Sequence, residues 1–144
     1  MKKFEFPLAR VLEWRRTRAT LEESRLGRLN RELRGLESRA AITRTQQEQS
    51  ERALRASASL TGTELVAFDS HKRFLTAECE RLSGLAANCR TRIAAQIQVI
   101  AQAQRDVRLL ERLHHRKHAA WQAELWKEID REAEELHLAA VARR

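Results

Sequence analysis

Chain breakers and large rings are what this sequence has least of. It holds one proline, four glycines, no tyrosine and only 5% aromatic residues among 144. Few breakers and few aromatics are a poor basis for a single compact core. No stretch approaches the ~18 uninterrupted apolar residues that a membrane-spanning helix needs. Met1-Lys2-Lys3 leads into charged and aromatic residues, not into the apolar core of a signal peptide. The expectation is a cytosolic chain. Its two cysteines suit that compartment. Cys79 and Cys89 are ten residues apart on one predicted helix, about 15 Å, whereas a disulfide tolerates no more than about 7 Å between Cα atoms. Both fall on apolar positions, where a thiol packs as a small hydrophobe; an intermolecular bridge across a parallel dimer is the alternative.

Chemistry is scarce as well. The GxxxxGK phosphate loop is absent, which excludes nucleotide hydrolysis by that route. Ser24 and Ser83 have no supporting base legible in the sequence. His114 and His118 stand four residues apart with Glu111 one turn earlier, but three ligands on one surface helix make an open and incomplete metal site. They read as solvated histidines. No enzyme, metal, cofactor or small-molecule substrate is expected.

What is present is helix. Ala, Leu, Glu, Gln and Arg dominate, and all are strong helix formers. Leu26, Leu29, Leu33, Leu36 and Ala40 recur at alternating spacings of 3 and 4. The same alternation runs unbroken from Leu65 through Phe68, Lys72, Leu75, Cys79, Leu82 and Ala86, then through Cys89, Ile93, Gln96, Ile100, Ala103 and Val107 to Leu110. A period of 3.5 keeps one narrow stripe facing a partner helix. The fold class is all-α: two long helices in an antiparallel coiled-coil hairpin, a rod with no room for a pocket in its body.

Pro7 suits a helix entry, and the first seam continues through Val11, Leu12 and Ala19. It weakens at Thr43, Gln47 and Ser50 before Leu54, so residues 43–60 are the part expected to fray. Residues 57–62 lose the pattern, and Thr61 with Glu64 three residues on matches a capping box. The chain reads as one coiled-coil domain over 1–144, with helix 1 at about 7–56, a turn at about 57–62 and helix 2 at about 63–141.

The inequality of the helices matters more than their existence. A turn near residue 60 sets Leu54 near Phe68, Leu33 near Cys89 and Leu12 near Leu110. The first helix is then used up by about residue 115, and the second continues for roughly 25 to 30 residues, about 40 Å, with nothing of its own chain beside it. Trp121, Leu125, Ile129 and Leu136 fall within about 80° on a helical projection. Burying them would contribute roughly 1.5 to 3 kcal/mol each before entropy costs. The overhang predicts a partner, either another copy or a different protein.

Net charge is +8, which passes a first screen for nucleic-acid binding. Residues 1–60 carry 14 basic and 8 acidic side chains, and residues 61–144 carry 14 and 12. The first helix is the basic one, through Arg25, Arg28, Arg31, Arg34 and Arg39. Glu22, Glu23, Glu32 and Glu37 interleave with them, the mark of a solvated face laced with ion pairs. No zinc-finger spacing or aromatic RNA-binding motif accompanies the charge, so nucleic acid is not the expected partner. A membrane surface would need a wider apolar face.

The opening Phe4-Glu5-Phe6-Pro7-Leu8-Ala9-Arg10-Val11-Leu12-Glu13-Trp14-Arg15 resembles the start of the flagellar export FliJ family. Glu64-Leu65-Val66-Ala67-Phe68 with Leu75, and Leu110-Glu111-Arg112-Leu113 through Arg116, Trp121, Glu124 and Glu135-Leu136, are similar to that family's second helix and tail. The resemblance covers essentially the whole chain. It implies an antiparallel two-helix coiled coil like the central stalk of rotary ATP synthases. It further implies insertion of the paired termini into the hexameric export ATPase FliI, contact with the export gate protein FlhA, escort of export chaperones, and a cytoplasmic location at the inner-membrane export apparatus. The amphipathic overhang then assigns the ring contact to Trp121, Leu125, Ile129 and Leu136, with Arg10 and Arg15 nearby on the first helix. The gate contact falls on Phe68, His71 and Leu75, with His71 where the family more often has a second aromatic. His137 replaces an acidic residue common near the family's C-terminus. A stalk of a virulence-type secretion system has the same architecture. The alternatives from other classes are a basic coiled coil on nucleic acid and a structural homodimer.

Overall fold

The computed structural model describes residues 3–143. Two helices make up its regular structure, α1 at Ala9–Ala56 and α2 at Gly62–Ala142. They pack against each other, and α2, with 81 residues against 48, is the longer. Pro7 and Leu8 form the turn that precedes α1. The Ala9 N–H donates to the Phe6 carbonyl at 3.1 Å, and the Leu12 N–H to the Leu8 carbonyl at 2.9 Å. Proline's fixed φ therefore sets the entry from just outside the helix rather than within its first turn. At the other end the Ser57 N–H donates to Leu54 at 3.2 Å, and its hydroxyl donates to the Ala53 carbonyl at 3.1 Å. The hydroxyl satisfies a carbonyl that the ending helix leaves open.

The start of α2 is a reciprocal cap. The Glu64 N–H donates to Thr61 Oγ1 at 3.2 Å, and the Thr61 N–H donates to Glu64 Oε2 at 2.9 Å. Thr61→Ala is expected to cost about 1 kcal/mol. The loss should appear as faster amide hydrogen exchange over the first turn of α2, with exchange in the middle of the helix unchanged.

The described contacts gather into two compact units, Glu22–Ile100 and Met1–Leu21 with Ala101–Arg144. Each is an antiparallel pairing of α1 with α2. In the first, Glu37 pairs with Arg90 at 2.9 Å and Glu32 with Arg92 at 3.1 Å, as a turn near residue 60 requires. Its core is Leu36, Leu82, Ala86 and Cys89, flanked by Leu33, Ala40 and Ile93. Leu82 and Cys89 are each only 1% exposed. The Cys89 thiol donates to the Leu29 carbonyl at 3.4 Å, and both cysteines are free.

The 3-4 alternation of α1 extends further than the leucines suggest. It runs from Leu12 through Arg15, Ala19 and Glu22 to Leu26, and on to Leu54. Glu22 is only 5% exposed. Gln96 Nε2 donates to its Oε2 at 2.7 Å and to its backbone carbonyl at 3.0 Å, and Arg25 donates to Oε1 at 2.9 Å. Residues 43–56, where polar seam positions led to an expectation of fraying, are helical throughout. The Thr43 hydroxyl donates to the Arg39 carbonyl at 3.0 Å, and Gln47 reaches Thr76 at 3.3 Å while accepting from the Cys79 thiol at 3.5 Å. Satisfied polar groups sit in a seam at little cost. On the solvated face Arg81 grips Glu78 at 2.6 and 2.9 Å. That hydrogen bond holds the Glu78 carboxyl below its ordinary value.

Candidate functional site: the end of the second helix

In the unit formed by Met1–Leu21 and Ala101–Arg144, two ion pairs tie α1 to α2. Arg15 donates to Asp106 at 2.8 Å, and Arg16 donates to Glu111 at 3.0 Å. Arg15 also lies over the Trp14 ring at 5.1 Å. Its guanidinium is therefore engaged within the unit rather than held out to solvent. Arg10, by contrast, is exposed.

Before α1 begins, Lys3–Phe6 continues along α2 as a non-helical lead. The Phe4 ring meets His118 at 5.0 Å, His114 at 5.5 Å and Trp121 at 5.8 Å, and Phe6 meets His114 at 5.0 Å. His114 and His118 are stacked 6.2 Å apart at an interplanar angle of 8°. These rings are half-buried, so the two histidines belong to an aromatic cluster and not to open solvent. Edge-to-face contacts of this kind suit rings with positive edges and negative faces. Glu111, the third member of the conceivable metal trio, is spent on Arg16, and among the described residues no group of three metal-ligating side chains occurs.

The lead moves the start of the unaccompanied helix. Phe4 reaches Trp121, so among the described residues α2 is accompanied for about two turns beyond the position near residue 115 inferred from helix lengths. The stripe itself shifts on the way. Leu110, His114 and His118 are spaced by two successive fours before Trp121 and Leu125 resume the alternation, and such a step locally unwinds a coiled coil. No family model, curated protein or solved structure matches the chain.

Beyond Leu125 the stripe faces water. Leu125 is half-buried, Ile129 is exposed, and Leu136 is 73% exposed. From Trp126 to Arg143 every residue is exposed, Trp126, Leu138 and Val141 included. An amphipathic helix end of this kind normally finds a cover. Its polar face is acidic: residues 124–135 hold six carboxylates against two basic side chains. Glu124 pairs with Lys127 at 3.0 Å; among the described residues Glu128, Asp130, Glu132, Glu134 and Glu135 form no ion pair.

The second set of sequence-derived residues lies in the other unit. Leu75 is buried and Phe68 half-buried, facing Gln47, Ser50 and Glu51 across a shallow hollow. His71 is exposed. Of these three, His71 is open to a partner and Phe68 partly so. Exposed Phe74 and Val66 stand nearby on α2. They lie off the seam phase, so a reading that follows the seam passes over them.

Proposed function

We propose that this chain is a non-enzymatic, stalk-like component of a flagellar type III protein export apparatus. It binds the hexameric export ATPase through the end of α2, promotes assembly and turnover of the ring, and links it to the export gate. The observation that carries this reading is the apolar stripe of half-buried Leu125 and exposed Ile129 and Leu136 at the end of α2. The order of motifs from Phe4 to Leu136 and the longer second helix support it. Trp121, Leu125, Ile129 and Leu136 make the grip, with Arg10 at the start of α1 contributing from the other helix. Arg15 contributes by holding α1 to α2 through Asp106. Phe68 and His71 face the gate protein, and Leu75 supports them from the core. Export chaperones are further partners.

No catalytic group is required of such a protein, because the ring hydrolyses the nucleotide. A stalk acts by contacting six subunits unequally, which shifts their nucleotide-bound states by differential affinity. Among the described residues no helix is long and apolar enough to cross a membrane, which is compatible with a cytoplasmic position at the edge of a membrane-embedded gate. The test is the ATP turnover and hexamer content of a flagellar export ATPase with and without the chain. Stimulation of both is the expected result; a well-folded, highly helical sample that changes neither sinks the reading.

A further inference from the structure

The acidic, apolar end of α2 has a counterpart on the same chain. Val11, Trp14 and Leu21 are exposed on α1, at 41%, 55% and 48%. With Arg18 they fall within about 80° of one another at 100° per residue. This stripe is separate from the seam residues Leu12 and Ala19, which are buried. Arg18 lies over the Trp14 ring at 5.6 Å, and Arg10 stands exposed beside it. Among the described residues neither Arg10 nor Arg18 forms an ion pair.

We propose that the end of α2 packs along this face of α1 in a second copy of the chain. Leu125, Ile129 and Leu136 cover Val11, Trp14 and Leu21, and the tail carboxylates face Arg10 and Arg18. Three properties match. Val11 to Leu21 and Leu125 to Leu136 span ten and eleven residues, about 15 and 16 Å of helix. Both stripes are narrow and apolar, as a helix pairing needs. Their flanks carry opposite charge, with Arg10 and Arg18 on one and Glu128 and Glu135 on the other in no ion pair among the described residues, and complementary flanks select orientation and exclude like-charged pairings. Tail against tail would set unpaired carboxylates against carboxylates. Each copy offers one face of each kind, so a two-fold dimer forms the contact twice and leaves neither face open.

The pairing describes the chain free of other partners. It covers the stripe that the export reading gives to the ATPase ring, so a second copy and the ring compete for it, and its test contains this chain alone. Sedimentation of the full chain over a range of concentrations should show a monomer passing into a dimer that weakens as salt is raised. Glu128→Arg/Glu135→Arg should raise the dimer dissociation constant at least about tenfold, and so should Arg10→Glu/Arg18→Glu. All four side chains are exposed, so helicity should be unchanged. Combining the two pairs of reversals should restore most of the affinity. A monomer at every concentration assigns the tail to a different protein and overturns the proposal. A dimer indifferent to the reversals, or one that the combined variant fails to restore, overturns it too.

Discussion

Trp121→Ala/Leu125→Ala should reduce the chain's affinity for its ATPase roughly 100-fold and return turnover to the unstimulated rate at concentrations where the wild type is effective. Each truncation removes at least about 1.5 kcal/mol of apolar burial, and about 3 kcal/mol corresponds to two decades in affinity. The two positions are not equivalent. Trp121 already touches Phe4 at 5.8 Å and His118 at 5.7 Å, so its loss also loosens the aromatic cluster. Ile129→Ala/Leu136→Ala separates these effects. Both residues are exposed and lie beyond the cluster, so this second pair removes the apolar grip while leaving the fold of the unit intact. Full stimulation by both double variants would rule out the end of α2 as the ring contact. A variant at the other set, His71→Ala, should leave turnover unchanged, because that residue lies in the unit formed by Glu22–Ile100.

The seam was legible because periodicity survives any one substitution. Of the fourteen positions from Leu65 to Leu110, only Leu65 and Lys72 are exposed. The cap at Thr61 and Glu64 was equally legible, since its chemistry needs only two residues at a fixed spacing. Three features escaped. Arg15 and Glu22 occupy seam positions, but a search for apolar repeats discards charged residues, and their partners Asp106 and Gln96 lie more than 70 positions away. The course of Lys3–Phe6 escaped because a lead ahead of a proline carries no helical period. The third was the shift of the stripe between Leu110 and Trp121. Its residues at the new phase are His114 and His118, which count as polar in any hydropathy pattern although packed rings bury half of each. In all three, long-range packing decided the outcome and local pattern carried no trace of it.

Gln96→Leu should destabilise the unit around Glu22 by roughly 3 kcal/mol, measured as a fall in the urea midpoint. Glu22 is nearly excluded from water, and Gln96 supplies a 2.7 Å hydrogen bond to its carboxylate. Hydrogen bonds to charged groups contribute about 1.5 to 3 kcal/mol, and a buried carboxylate that loses one of its donors adds a desolvation cost. Glu22→Leu/Gln96→Leu is expected to behave in the opposite way. Two apolar side chains filling the same layer remove both the polar burial and the need to satisfy it, and such replacements are often neutral or stabilising. The double variant should therefore recover the wild-type midpoint or exceed it. What it should lose is alignment. An apolar layer at this seam position can slide by a heptad to meet Leu29, whereas the Glu22 carboxylate receives the Gln96 hydrogen bond only in the native register. Paired spin labels at Arg28 and Ala95 would read a single narrow distance in the wild type and a broadened distribution in the double variant. A narrow distribution in both would show that the leucine layers alone set the register and that Glu22 does not.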